Sequence, residues 1–419
     1  MKEGWENYFL GDIAHIGAGN SAPQKKELFL NGTIPFVRTS DVGQIRIGSI
    51  SETRDRLNEE GVRKMRLVPA GSVLVPKSGA STFLNHRVKL ARDAYVSSHL
   101  ATIKARPEFA LDSFVYYFLM TVRAQDLIQD HKYPSLKLSD LNNIAIDLPS
   151  PRVQKRIVAI LDEAFTGIDT AIANTEKNLA NARNLFESSL SNVFTKRDEG
   201  WKETKLRDVC NIKHGFAFKS EFFVKDSDYV VLTPGSFYES GGFRDQGKKT
   251  KYYQGEIPDG YLMDKGMFLI AMTEQAAGLL GSPLIVPEAS KYLHNQRLGL
   301  VQPFDDVEWH NDFFFHQLNT REFRDAVQLS ASGVKVRHTS PTKLGEIDIC
   351  FPPTIGKQKE IADRLNEIQE EVRKLASSYQ QKLNSLKELK QSLLQKAFSG
   401  ELTATKATTE AILKEEEIA

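Results

Sequence analysis

The chain is written twice. Trp5, Leu10, Asp12, Ile16 and Gly19 recur as Trp201, Leu206, Asp208, Ile212 and Gly215, an offset of 196 residues. Pro-Ala-Gly-Ser-Val-Leu at 69–74 is answered by Asp-Lys-Gly-Met-Phe-Leu at 264–269. Leu141, Ile144, Ile146, Leu148 and Pro149 return as Leu344, Ile347, Ile349, Phe351 and Pro352. Gln154, Ile157, Leu161, Leu190 and Phe194 return as Gln358, Ile361, Leu365, Leu394 and Phe398. Single apolar matches arise by chance, but a colinear series that includes Trp, Gly, Pro and Gln does not. The fold is therefore one unit used twice, and every element assignment must work in both copies.

Within each copy, short β-branched or aromatic runs bounded by Gly, Pro, Ser and Asn read as strands: Ile34–Val37, Gly71–Val75, Tyr229–Leu232 and Met267–Ala271. Apolar residues spaced three and four apart predict one helix per copy, Leu111–Gln129 and Asn311–Gln328. Neither a regular βαβ alternation nor an all-β array results, so the predicted class is α+β.

Each copy ends in a proline-free stretch, 152–195 and 355–399, that follows a Pro-containing stop. In the second, Leu365, Val372, Tyr379, Leu386 and Leu393 repeat every seven residues, with Ile361, Ile368, Leu375 and Leu389 as companions and Lys382 as an interruption. That pattern predicts a coiled coil. The first carries Leu161, Ile168 and Ala182 on one seam and Phe165, Ile172, Leu179, Phe186 and Val193 on a second, a face too wide for one partner helix. Each helix should be on the order of 60 Å long. A duplicated domain–helix unit closes most simply about a pseudo-two-fold axis, which sets the two helices antiparallel. The predicted organisation is a domain at 1–150, a helix at 151–199, a domain at 200–354, a helix at 355–402 and a mobile tail at 403–419. Two heads joined by a stiff spacer suggest a ruler.

Composition bounds the chemistry. With 41% hydrophobic residues among 419, the chain can build real cores. It has no run of eighteen apolar residues, and MKEGWENYFL lacks the layout of a signal peptide. Cys210 and Cys350 are too few for a disulfide framework or a structural zinc site. These features predict a cytoplasmic protein with no membrane partner.

Catalytic patterns fail one by one. Gly242–Lys248 has the Gly and Lys spacing of a phosphate loop, but Lys249 stands where Ser or Thr must hold magnesium. Pro258-Asp259 with Asp264-Lys265 has the wrong spacing for a nuclease. Phe351-Pro352-Pro353-Thr354 lacks the acidic or amide residue and the aromatic of an amino-methylation motif. No His-Glu-x-x-His spacing occurs, and His99, His294 and His338 suit loop hydrogen bonds better than metal. The chain is expected to be non-catalytic and to bind no cofactor.

These residues carry a family resemblance. The chain resembles the specificity subunit of Type I DNA restriction–modification systems to about residue 402. The resemblance rests on the opening Trp-x4-Leu-x-Asp pattern in both copies, Ile34–Val42, the Gly-x-x-Leu strands at 71–74 and 266–269, Leu-Pro-x4-Gln-x-x-Ile at 148–157 with its twin near 351–361, and Leu-Leu-Gln-Lys-Ala-Phe-Ser-Gly-Glu-Leu at 393–402. The first copy departs from it by ending in Val193-Phe194-Thr195-Lys196. The resemblance implies two target recognition domains, each reading half of a bipartite asymmetric site in double-stranded DNA. It implies that the helices set the spacing and dock two methyltransferase subunits, which restriction/translocase subunits join. S-adenosylmethionine, ATP and magnesium would then serve those partners. The alternative from another class is a duplicated non-DNA ligand-binding scaffold with a coiled-coil spacer.

DNA sequence is read at base edges by Arg, Lys, Asn and Gln, while hydroxyls, lysines and backbone amides hold phosphates. In the first domain the candidates are Arg38, Thr39 and Ser40; Lys77, Ser78, Ser81 and Thr82; and Lys132, Ser135 and Lys137. In the second they are Thr233, Ser236, Arg244, Lys248, Lys249, Thr273, Asn295, Gln296, Ser332, Lys335, Arg337 and His338. Gly333–His338 places three potential donors beyond a Gly turn, so replacing Arg337 or Lys335 by Ala should weaken methylation and leave assembly intact. Residues 1–150 carry 19 basic and 16 acidic groups, and 201–354 carry 18 and 20. Neither domain is a basic clamp, which predicts weak DNA binding by this chain alone and tight binding in complex.

Overall fold

The computed structural model describes residues 4–128, 130, 132–197, 199–274 and 278–403; residues 404–419 of the expected tail lie outside them. The chain divides into two units, Met1–Thr175 with Gln381–Ala419, and Glu176–Gln380. Both boundaries fall inside long helices. Pro151–Thr195 begins in unit one and ends in unit two, and Ile355–Ser399 makes the reverse passage. Their limits match the proline-free stretches, because no residue inside either removes a backbone donor.

Unit one contains a five-stranded sheet in the order Ala14–Ala18, Leu100–Ala105, Val73–Pro76, Arg87–Leu90, Ile47–Ile50, antiparallel except for its last pair. A three-stranded sheet sets Ile34–Val37 between Asp55–Leu57 and Tyr95–Val96, the latter parallel to it. Trp5–Phe9 pairs with Ala145–Pro149, so the first and last strands close the domain. Unit two repeats this plan. Leu298–Pro303 and Phe268–Ala271 are central in one sheet, Tyr229–Val231 runs parallel to Tyr292–Leu293 in another, and Lys202–Lys205 pairs with Asp348–Phe351.

The expected domain helices are each broken. Asp112–Thr121 is followed by a break and then Ala124–Leu127, while Gln129 is outside the described residues. The fully buried Arg87 explains the stop: its guanidinium donates to the carbonyls of Leu119, His86 and Val122 at 2.9–3.1 Å, taking acceptors at the helix end. Burial draws its pKa down to about 10, still cationic at neutral pH. In unit two the break separates Asn311–Leu318 from Arg321–Ser330. Thr320 starts the second piece, accepting from the Phe323 amide at 3.3 Å and donating to the Gln317 carbonyl at 2.7 Å.

Each long helix contributes to both cores. In unit one, Ile157, Leu161 and Phe165 share a core with Phe114, Phe118, Leu394 and Ala397. There Lys390 pairs with Asp169 at 2.7 Å and sits 4.4 Å from the Phe165 ring centroid. In unit two, Leu190 and Phe194 share a core with Phe313, Phe314, Ala362 and Leu365. Phe194, Trp201 and Phe313 form an aromatic cluster of edge-on and tilted rings with centroids 5.4–5.9 Å apart. Ile168 and Ala182 are buried as expected, while Ile172, Leu179, Phe186 and Val193 are half-buried.

The heptad reading of the second helix needs a correction. Leu375 and Leu389, expected in the seam, are 41% and 48% exposed, and Ile361, Ile368, Val372, Tyr379, Leu386 and Leu393 are only half-buried. The buried set is Ala362, Leu365, Leu383, Leu394 and Ala397. Leu365 to Leu383 is eighteen residues and Leu383 to Leu394 eleven, both close to whole turns of a straight helix at about 3.6 residues per turn. The sequence's seven-residue repeat drifts off that stripe.

One side chain fastens each domain to the helix that follows it. Gln154 is fully buried; its Oε1 accepts from the Leu111 amide at 3.0 Å, and its Nε2 donates to the Phe109 and Pro149 carbonyls at 2.9 Å. Gln358, also fully buried, accepts from the His310 amide and donates to the Glu308 and Pro352 carbonyls, all at 2.9 Å. The duplicated glutamine is thus a duplicated staple. No described helix is long and apolar enough to cross a membrane.

Candidate nucleic-acid interface

In unit one, three segments meet where the central strand Val73–Pro76 ends. The Lys77 amide donates to the His99 carbonyl at 3.0 Å, and Leu136 donates to the Lys77 carbonyl at 2.8 Å. Ser78 bridges to Ser135, Gly79 donates to the Pro134 carbonyl at 3.0 Å, and the Ser78 hydroxyl lies 2.9 Å from His99 Nδ1. The Ser97 amide donates to the Val37 carbonyl, which brings the start of Arg38–Ser40 beside the same junction.

Unit two builds the same junction from its own residues. The Met272 amide donates to the Arg297 carbonyl, and Thr339 donates to the Met272 carbonyl, both at 2.9 Å. Thr273 pairs with His338 and Glu274 with Arg337, and the Leu232 amide donates to the Leu293 carbonyl. The repeated glycines make this crossing possible. A Cβ on Gly19 would lie 2.2 Å from the Val96 carbonyl oxygen, and one on Gly215 would lie 2.1 Å from that of Asn295.

The loops thus bring Lys77, Ser78, Lys132, Ser135 and Lys137 together in one unit, and Thr273, Asn295, Gln296, Ser332, Lys335 and His338 in the other. Lys132, Lys137, Gln296, Lys335 and His338 are exposed, as are Arg244, Lys248 and Lys249 on a neighbouring turn. Exposed Arg297 joins the set. Sequence reasoning missed it, although its place directly after Asn295-Gln296 was a usable signal.

Other candidates are spent inside the fold. Arg38 pairs with Asp55 and lies over the Phe36 and Phe29 rings at 5.4 and 5.8 Å. Thr82 is fully buried, and Ser81 donates to the Ser78 carbonyl. Thr39 is half-buried and Ser40 exposed, at the start of the short helix Thr39–Ile45. Gln246 donates to the hydroxyls of Thr233 and the buried Ser236 at 3.1 and 2.7 Å. Lys343 donates to the Ser332 hydroxyl at 2.6 Å. His294 is buried with Nε2 2.9 Å from the Leu298 carbonyl; burial pushes its pKa down to about 4, so it is neutral at pH 7.

Arg337, the foremost sequence candidate, is a structural clamp. Its guanidinium donates to the Gln328 side chain and backbone carbonyl and lies 4.0 Å from the Glu274 carboxylate. Glu274 is buried, accepting from the amides of Gly278, Leu279 and Leu280 at 2.9–3.0 Å and from Gln328 Nε2 at 3.0 Å. Arg337→Ala should therefore destabilise unit two by about 1–3 kcal/mol, because it removes the guanidinium that bonds Gln328 and lies beside the buried Glu274 carboxylate. Thermal unfolding of the full chain measures this; an unchanged transition would return Arg337 to the pool of free donors. Among the described residues, no group of three or more His, Cys, Asp or Glu side chains is placed to hold a metal ion.

A family model described as the Type I restriction modification DNA specificity domain matches residues 2–181 and again 198–387. The chain is 28% identical over 224 residues to the Type I restriction enzyme EcoBI specificity subunit of Escherichia coli, covering 53% of this chain and 43% of that one. It is 29% identical over 173 residues to the MjaIX specificity subunit of Methanocaldococcus jannaschii, covering 40% and 39%. The match thus spans less than half the length of these curated relatives. A solved chain from work on assembly and conformational transition of the type I R-M system superposes with a TM-score of 0.74 at 18% identity, covering 95% of this chain and 98% of that one. That likeness speaks to the fold. Two family matches, one on each copy of the sequence duplication and together spanning most of the chain, establish that this protein belongs to the Type I restriction modification DNA specificity domain family.

Proposed function

We propose that the chain is the non-catalytic specificity subunit of a Type I restriction–modification complex. The observation that carries this reading is the same loop junction, built twice from different residues, in two copies of a DNA specificity domain. A constant scaffold carrying unlike loops suits the reading of two unlike half-sites in one duplex. In unit one, Lys77, Lys132 and Lys137 supply the cations; in unit two, Lys335, Arg297 and the Arg244–Lys249 turn do so, with Gln296, Thr273 and His338 as hydrogen-bonding groups. The helices fix the distance between half-sites and give two methyltransferase subunits their docking faces, with restriction subunits joining that core. S-adenosylmethionine, ATP and magnesium act on those partners, and the complex works where the cell's DNA is, in the cytoplasm.

Near-balanced charge in each domain makes this chain a weak electrostatic binder, so tight binding should need the methyltransferase subunits. The test is salt-dependent binding of the assembled complex to duplex DNA. A steep negative slope of log K against log salt is expected, with a much weaker interaction for the chain alone. Replacing Lys132 and Lys335 together by Gln should reduce the slope by about 2 and weaken cognate and non-cognate duplexes alike. An assembled complex that shows no sequence preference would sink this reading.

A further inference from the structure

The loops of both junctions end in a feature that the charged candidates do not explain. In unit one, Tyr133 is 82% exposed; in unit two, Val334 is 98% exposed. Val336, 45% exposed, lies on the same second loop, and Leu329, 87% exposed, ends the helix Arg321–Ser330 that leads into it. Side chains so exposed contribute little to the fold, because burying apolar surface is what stabilises it. Isolated exposed apolar residues are ordinary on protein surfaces. What sets Tyr133 and Val334 apart is that each stands on the segment that crosses its unit's junction, one in each copy. Tyr133 lies two residues ahead of Ser135, which pairs with Ser78, and Val334 lies four ahead of His338, which pairs with Thr273, with Val336 two ahead.

Both tips are held, not loose. Ser332 and His338 exchange two backbone hydrogen bonds at 2.9 Å, closing the second loop at its base. Gly333 has φ +95°, and a Cβ there would lie 2.1 Å from the Val336 carbonyl oxygen, so the chain turns tightly and Val334 stands clear. In the first loop the Asp130 carboxylate accepts from the Lys132 and Tyr133 amides at 2.8 and 3.4 Å, and the Pro134 carbonyl accepts from Gly79 at 3.0 Å. Each apolar tip also has an exposed lysine beside it, Lys132 or Lys335. The segment 332–338 contains no acidic residue, and Asp130 is engaged with backbone amides.

We propose that Tyr133 and Val334 enter the DNA groove of their respective half-sites and pack against base edges, while the adjoining lysines hold the flanking phosphates. This inference rests on the reading of the chain as a DNA specificity subunit and names the residues that discriminate bases. A preorganised apolar tip beside a cation fits a duplex groove, whose floor offers thymine methyl groups and base steps and whose rims are anionic. With Arg38 and Arg337 committed to internal partners, discrimination falls more heavily on these tips.

The test uses the full-length chain in the assembled complex, with Val334→Ser and Tyr133→Ser made separately. Both side chains are exposed, so neither change should alter folding or assembly. The probes are a duplex carrying the cognate site, identified by mapping methylated adenines, and single-base-pair variants of each half. Each substitution should lower cognate affinity about tenfold and relax discrimination at positions within one half-site only, a different half for each variant. The salt slope should stay unchanged, in contrast to the lysine variants. Unchanged affinity and per-base preference in both variants would overturn the proposal while leaving the specificity-subunit reading in place. Impaired assembly with intact discrimination would overturn it too, assigning the tips to a protein partner. A wild-type complex without sequence preference would overturn both readings together.

Discussion

Replacing Gln154 by Met is expected to destabilise unit one by about 3–6 kcal/mol, although Met fills nearly the same space. The substitution strands the Leu111 amide and the Phe109 and Pro149 carbonyls in a site where the side chain is fully buried. Leaving each such group without a partner costs about 1–3 kcal/mol. For a unit of this size the loss corresponds to a melting temperature lower by roughly 10 °C or more. Gln358→Met should do the same to unit two, through the His310 amide and the Glu308 and Pro352 carbonyls. Calorimetry of the full chain can follow both units in one scan. A Gln154→Met chain that melts within a degree or two of wild type would show that these groups are easily resolvated and that the staple is incidental. Because each glutamine joins a domain to the first turn of its helix, loss of site recognition should accompany the loss of stability.

The second large effect concerns spacing. Inserting seven residues into both long helices, after Thr175 and after Gln380, should move the tolerated separation of the half-sites up by about three base pairs. Seven residues add about 10.5 Å of helix, and stacked base pairs rise about 3.4 Å each. The insertion returns each helix to nearly the same face, with a residual rotation of roughly 20°. The same insertion in the second helix alone should abolish recognition, because both helices pass through both units. Methylation mapping reads the outcome directly. A doubly inserted chain that assembles and still methylates only the original spacing would end the ruler reading.

Much of this is legible in the amino-acid order. The duplication appears as matched residues, and the structure gives several of them a physical reason. Gly19 and Gly215 sit where another segment's carbonyl passes too close for a Cβ. Gln154 and Gln358 each satisfy an equivalent set of one amide and two carbonyls. The long helices were readable to within a residue at their start because an uninterrupted proline-free stretch is a local property. The shorter helices were over-extended, since their stops depend on residues elsewhere: Arg87, more than thirty positions from the carbonyls it caps, and the Thr320 cap within the second.

The interface divides along the same line. Residue types on loops between strands point to segments that the fold brings together, and exposed Arg297 lies among them. What the loops do with those residues was not legible. Arg38 and Arg337 read as free donors until Asp55, Phe36, Gln328 and Glu274 are seen around them. Thr82 and Ser236 read as surface hydroxyls and are buried. The heptads of the second helix likewise named the apolar positions but not which would be covered, leaving Leu375 and Leu389 exposed.

By itself, then, the sequence determined a repeated α+β domain and two long helices, because repetition, periodicity and proline placement are written in local order. Only the tertiary structure decided which polar groups are free to meet a ligand and which apolar ones are left facing solvent. Those outcomes depend on partners distant in the chain, and a guanidinium or a valine looks the same in sequence whether the fold engages it or leaves it exposed.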